Sequence, residues 1–203
     1  KRIARYVIGL DPEEITIPSR HMMTSRVVDA VGCALGALDS PPGTVSRSLA
    51  AGAGVATGVS VIGLSQRTTP ELAAFANGCL VRYLDFNDTY HTEGGGHPSD
   101  MLPAILAAAE LTGCSGSETL TGLHVAYEVF AALADAVPMR DKGWDYGAFL
   151  SIATAAGVSR VLELEEAGVC NAISLSVTPN MPLFVTRTGE LSNWKGCASA
   201  YAA

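Results

Sequence analysis

Between Arg82 and Asp100 the chain reads RYLDFNDTYHTEGGGHPSD, which gathers Asp85, Asp88, Glu93, Asp100, Thr89, Thr92, His91, His97 and three consecutive glycines into nineteen residues. Carboxylates and imidazoles exchange protons, and hydroxyls orient bound polar groups, so this is an acid–base inventory. Asp85 and Asp88 stand three apart, and on a last helical turn their carboxylates would share one side, where repulsion raises one pKa. The same spacing also suits a solvated helix end with Asp88 in a local Asx turn. Gly94, Gly95 and Gly96 open backbone conformations closed to other residues, just before His97-Pro98-Ser99-Asp100 at a helix start. Free N–H groups there suit a carboxylate or phosphate, with His97 as proton donor or acceptor. The plainer alternative is a flexible loop with an exposed histidine. The glycine spacing matches neither a P-loop nor the GxGxxG dinucleotide fingerprint.

A second group lies in the breaker-rich tail, Thr186-Arg187-Thr188-Gly189-Glu190 and Asn193-Trp194-Lys195-Gly196. Arg187 offers a bidentate fork for a carboxylate, and Lys195 is a point charge or general acid. Surface cations beside a packed Trp194 would look the same. Read together, the two segments supply acids, bases and cations, the inventory for removing a proton alpha to a carboxylate and expelling a neighbouring group. Asp85, Asp88, His91, His97 and Asp100 also carry metal-ligating atoms, but without the paired histidines of HExxH or the spacing of an EF-hand, so no metal is expected. His91 reads as a loop residue, and His21 and His124 fall within helical patterns.

Apolar residues recurring every three and four positions predict an all-α fold of packed helices. A first helix is expected over Arg20 to Leu38, with Val27, Val28, Val31, Ala34 and Leu35 on its buried face, closed by DSPPGT. A short helix follows over Val45 to Ala51, then a short extended piece over Gly58 to Leu64. Thr69 and Pro70 open the next helix, which carries Leu72, Phe75, Ala76, Cys79, Leu80 and Tyr83 inward and delivers the chain to Asp85. Ser99 is the expected N-cap of a helix over Asp100 to Leu111, ending near Gly113. Helices over Ser117 to Val137, Tyr146 to Leu162 and Glu165 to Ser176 complete the set.

Of 203 residues 48% are hydrophobic and 16% charged, which implies a large core rather than disorder. The net charge of -7 and the lack of a basic cluster argue against nucleic acid. No apolar run reaches the roughly 18 residues of a membrane span, and the amino terminus lacks a signal-peptide pattern, so a cytoplasmic protein is expected. The five cysteines, without CxxC spacing, read as reduced thiols.

The segments NGCLVRYLDFNDTYHTEGGGHPSDMLPAILAAAE and TRTGELSNWKGCASAYAA, supported by VVDAVGCALGAL and GWDYGAFLSIATAAG, resemble the MmgE/PrpD family. That family includes 2-methylcitrate dehydratase and cis-aconitate decarboxylase, and the resemblance runs over essentially the whole chain. It implies that residues 1–203 form a large helical domain, the N-terminal part of a longer two-domain enzyme. The smaller α/β lid domain is absent from this stretch, and family members are expected to be homodimers with the site between domains. It also implies cofactor-free lyase chemistry on a small polycarboxylate such as 2-methylcitrate. By motif, Asp85 and Thr89 match the DFxDT residues, His97 the HP motif and Lys195 the WKG motif, as catalytic groups. Arg187, Asp88, His91 and Tyr146 are the candidates for contact with substrate. Tyr146 stands where related sequences often carry histidine, a departure that touches both substrate and any decarboxylase-type role. Which residue is acid and which base stays open. So do decarboxylation or isomerisation in place of dehydration, and a non-catalytic helical dimerisation module.

Overall fold

The computed structural model describes residues 1–203 and consists of nine α-helices joined by turns and short 3-10 segments. They are α1 Arg2–Gly9, α2 Ile17–Gly36, α3 Pro41–Gly52, α4 Pro70–Tyr83, α5 Leu102–Thr112, α6 Gly116–Ala136, α7 Gly147–Val161, α8 Glu166–Val177 and α9 Trp194–Ala202. Extended structure is limited to two isolated bridges, Val59 with Thr68 and Trp144 with Leu183. The fold is all-α, as the periodicity predicts. No helix is long and apolar enough to cross a membrane.

Side-chain caps open three of the nine helices. The Thr16 hydroxyl accepts from the Ser19 N–H at 3.3 Å ahead of α2, and Ser40 accepts from Gly43 at 3.1 Å ahead of α3. Ser115 and Glu118 form a reciprocal capping box that opens α6. Pro41 and Pro42, expected to separate two helices, instead sit in the first turn of α3, where proline's missing N–H has no helical partner to lose. Ser99 does not cap α5. It lies inside a 3-10 turn, Pro98–Met101, that leads into the helix.

α7 is the central element, with Ala148, Phe149, Leu150, Ala153 and Ala156 all buried. It crosses α6 at a glycine pair: a Cβ on Gly157 would sit 2.7 Å from the Gly122 carbonyl oxygen. α9 approaches α4 in the same way, since a Cβ on Gly78 would lie 2.8 Å from the Ala200 Cβ. Near the centre, the Phe130 ring meets Tyr90, Tyr146 and Phe149 edge-on at 6.4 to 6.5 Å. This cluster ties the site loop to the core.

Two helix faces match their expected phase only in part, with Ala34 of α2 and Ala76, Cys79 and Leu80 of α4 buried as expected. On α2 the buried residues are Met23, Ala30, Cys33 and Ala34, while Val28 and Leu35 face outward. Small residues let α2 come close to its neighbours, and the bulkier side chains point away. On α4 it is Arg82 that is buried, and Tyr83 lies at the rim. α1 and α9 are absent from the pattern-based expectation. The first is a single two-turn amphipathic stretch, and the second carries a glycine and follows a run of breakers.

The glycine crossing gives a paired test. Gly157→Ala should lower stability by about 1–3 kcal/mol through backbone overpacking, despite alanine's better helix propensity. Gly32→Ala, in α2 with nothing within 4 Å of its added Cβ, should raise stability by about 0.5–1 kcal/mol. Urea denaturation of both variants checks the opposite signs.

Candidate active site

α4 ends at Tyr83, and the turn that follows places Asp85 in the left-handed region at φ 59°. For a non-glycine residue this costs about 1–2 kcal/mol, though aspartate tolerates it better than most. The turn removes Asp85 from the helical register. Its carboxylate therefore does not share a face with Asp88, and the expected repulsion between the two is not realised.

Asp85 instead meets three nitrogen groups. The Arg82 Nη1 donates to Oδ1, the Lys195 Nζ donates to Oδ2 at 3.2 Å, and the His97 Nε2 lies 3.5 Å from Oδ1. Burial alone would raise the Asp85 pKa, but the charge and hydrogen bond of Arg82, followed by those of Lys195, outweigh it and hold the carboxyl below its ordinary 3.8. Asp85 and Lys195 side chains are 47% and 35% exposed and His97 15%, so the cluster opens to solvent.

His97 is oriented from its far side. Its Nδ1 lies 2.8 Å from the Asp88 carbonyl oxygen, which can only accept, so this nitrogen carries the proton. In the neutral form of the ring the lone pair is therefore at Nε2, on the side of the cluster. The Thr89 hydroxyl lies 3.4 Å from the same Nδ1. Thr89 thus contacts the histidine rather than Asp85.

The Asp88 carboxylate is turned inward. Oδ1 accepts from the Ser99 N–H at 2.9 Å, and Oδ2 accepts from the Tyr127 hydroxyl at 2.8 Å with Arg26 Nε at 3.7 Å. It pins together the two ends of the loop that holds His97. That loop's three glycines are all buried and none has positive φ. Close approach is their physical requirement: a Cβ on Gly96 would lie 2.2 Å from the Tyr146 ring, and one on Gly95 would lie 1.9 Å from the Tyr90 carbonyl oxygen. The expectation of a conformationally open glycine run is thus corrected to one of tight packing.

Beneath Asp85 is a buried layer. The Tyr146 hydroxyl donates to Asp100 Oδ2 at 3.0 Å and lies 3.3 Å from the Arg82 Nε, which also approaches Asp100 Oδ2 at 3.5 Å. Asn87 Nδ2 donates to Asp100 Oδ1 at 2.8 Å. Burial pushes the Asp100 carboxyl up, against the pull of Arg82 and His97, and burial together with Asp100 pushes the Tyr146 phenol up. Tyr146 therefore stays protonated as a donor.

Arg187 is likewise occupied. Its Nε and Nη2 donate to the two Asp145 oxygens at 2.8 and 3.1 Å, its guanidinium lies 4.9 Å from the Tyr146 ring centroid, and Nη1 donates to the Lys195 carbonyl at 2.6 Å. It fixes the backbone that presents Lys195. His91 is exposed and makes no side-chain hydrogen bond or ion pair.

The structure thus joins Asp85, His97 and Lys195 directly, places Thr89 on His97, and sets Asp88, Tyr146 and Arg187 in the supporting layer, with His91 outside. Sequence reasoning passed over Arg82, Asn87, Tyr127 and Asp145. Arg82 had one visible signal, a charge three residues before Asp85 in the mostly apolar last turns of α4. A cavity of about 730 Å3 bordered by α1, α5, α6 and α7, and an apolar groove of about 780 Å3 bordered by α3, α4, α5, α7 and α9, contain none of these groups. The cluster is one open wall.

Two predictions test this layout. The depressed Asp85 carboxyl contributes stability that is complete above 3.8 and lost as pH falls through its lower folded value. Melting temperatures taken across roughly pH 5 to 2 should therefore fall less steeply in Asp85→Asn than in the unmodified protein. Tyr127→Phe removes a donor from the inward Asp88 carboxylate and should cost about 1.5–3 kcal/mol in urea denaturation.

Known proteins resemble this chain over most of its length. The family model for the MmgE/PrpD N-terminal domain matches residues 1–203. The 2-methylcitrate dehydratase of Escherichia coli O157:H7 is 32% identical over 192 residues, covering 83% of this chain and 38% of that enzyme. The 2-methylcitrate dehydratase of Cupriavidus necator is 33% identical over 183 residues, with coverage of 83% and 38%. The probable 2-methylcitrate dehydratase of Saccharomyces cerevisiae is 29% identical over 214 residues, with coverage of 96% and 41%. The chain spans about two fifths of the length of these relatives.

Proposed function

Because the chain belongs to the MmgE/PrpD family, we propose that it supplies one wall of a lyase site that removes water from 2-methylcitrate or a closely related hydroxy-polycarboxylate, by acid–base chemistry without a cofactor. The observation that carries this reading is the meeting of Lys195 Nζ, His97 Nε2 and the Asp85 carboxylate at one open face. The names of the relatives supply the substrate class.

In this reading His97 is the base. Its Nδ1 proton is engaged by the Asp88 carbonyl, so the Nε2 lone pair takes the proton from the carbon alpha to a substrate carboxylate. The imidazolium that forms is stabilised by Asp85, which Arg82 and Lys195 keep ionised. Asp85 is for the same reason a poor base. Lys195 is the exposed ammonium of the cluster, placed to hold a substrate carboxylate and to protonate the departing hydroxyl, so that a proton and a hydroxide leave together as water. Thr89 steadies the imidazole. Tyr146 is spent on Asp100 in the buried layer, which leaves proton handling to His97 and Lys195. The remaining length of the related enzymes would supply the facing wall and the cations for the other carboxylates, and a homodimer is part of the same reading.

The test is turnover of 2-methylcitrate by the protein carrying this domain, followed by proton NMR of the alkene product. His97→Ala and Lys195→Ala should each lower kcat by about 100-fold or more with the melting temperature unchanged. Retained dehydration in either variant removes that residue from the chemistry. Release of carbon dioxide in place of water would overturn the dehydratase assignment.

A further inference from the structure

The buried layer below Asp85 holds more charge than a packing role requires. Arg82 is 4% exposed and Asp100 1%, both within the main body of an apolar domain. Burying such a pair costs several kcal/mol per ion before their attraction returns any of it, and an apolar pair of similar volume would pack at least as well. The pair is also arranged asymmetrically. Arg82 spends its Nε on Tyr146 and Asp100 and projects its Nη1 out to Asp85, at the solvent-exposed face.

Asp85 needs such a hold. It occupies the left-handed region and stands beyond the last turn of α4, so no helical hydrogen-bond register fixes its side chain. The groups that face it are Arg82 from α4, Lys195 from α9 and His97 from the loop. Of these, Lys195 and His97 are the groups a substrate would engage. Arg82 is the one charge that remains when they turn to substrate.

We propose that Arg82 is the positioning residue of this site, holding Asp85 as an oriented carboxylate, with Asp100 and Tyr146 clamping Arg82 from below. The reach of arginine suits the task, because its rigid fork contacts partners at Nε and Nη1 together, which a lysine ammonium cannot do. Arg82 does not touch the substrate. It acts through Asp85, which in turn sets the charge beside His97. The inference rests on the lyase reading for its purpose, but its measurement does not require turnover.

The experiment is a carbon-13 NMR titration of the aspartate carboxyls in this chain, with the Asp85 signal assigned by its loss in Asp85→Asn. In the unmodified protein the Arg82 guanidinium, with Lys195, holds the Asp85 carboxyl below its ordinary 3.8. In Arg82→Gln, which removes the charge and the fork, its midpoint should rise, and in Arg82→Lys, which keeps a charge without the fork, and Tyr146→Phe, which loosens the clamp, it should rise by less. An unchanged Asp85 midpoint in a folded Arg82 variant would overturn the proposal. Unfolding of both Arg82 variants would also count against it, by assigning Arg82 to the fold rather than the site. In the protein carrying the whole enzyme, Arg82→Lys should lower kcat about 10- to 100-fold with KM little changed. A shifted Asp85 midpoint with no turnover of 2-methylcitrate by the unmodified enzyme would separate a correct positioning role from a wrong substrate.

Discussion

One guanidinium, buried at the end of α4, links the interior of this domain to its chemistry. Arg82 stands between Asp100 and Tyr146 inside and Asp85 outside. Much of the surrounding structure serves to make that burial tolerable. Asn87 occupies the second Asp100 oxygen, Gly96 lies flat on the Tyr146 ring, and Phe130 backs the same ring edge-on. A buried charge left with an empty partner costs several kcal/mol, so each neighbour is constrained by the one before it.

A second guanidinium repeats the device from the other side. Arg187 pairs with Asp145, lies over the Tyr146 ring and donates to the Lys195 carbonyl. Tyr146 is thus contacted by both arginines. The two groups that emerge at the face, Asp85 and Lys195, come from chain segments 110 residues apart, yet their separation is fixed through one aromatic ring and two buried ion pairs. The close α4–α9 contact at Gly78 and Ala200 keeps the two supports at a constant distance.

This hierarchy explains what was legible in the sequence. Asp85, Thr89, His97 and Lys195 could be picked out because their motifs combine reactive types with local breakers, whereas the caps Thr16, Ser40 and Ser115 were passed over, so the helices they open begin earlier than the apolar pattern alone suggests. The supporting layer was hidden. Arg82 looks like any surface cation until tertiary packing buries it, Arg187 looks like a fork for substrate until Asp145 fills it, and Asp88 looks like a site carboxylate until Tyr127 and Ser99 claim its oxygens. The phase of α2 was misread for a related reason: alanines rather than valines face the interior when helices approach closely. The glycine run was read through backbone freedom, whereas its physical basis is the space next to Tyr146 and Tyr90.

The charge balance of the wall bears on how it works. Arg82 and Lys195 are matched by Asp85 and Asp100, and Arg187 is matched by Asp145, so with His97 neutral the cluster carries no net charge. A nearly neutral wall attracts a polycarboxylate only weakly, and the domain's overall charge of -7 adds a repulsive background. What the wall does supply is a change of charge at one place: when the imidazole takes a proton, the new cation forms 3.5 Å from a carboxylate already held in position. Preorganised charge of this kind favours the transferred state over the resting one. The arrangement is therefore better suited to moving a proton than to gathering an anion, and the cations that would hold a polycarboxylate's remaining charge have to come from outside this cluster.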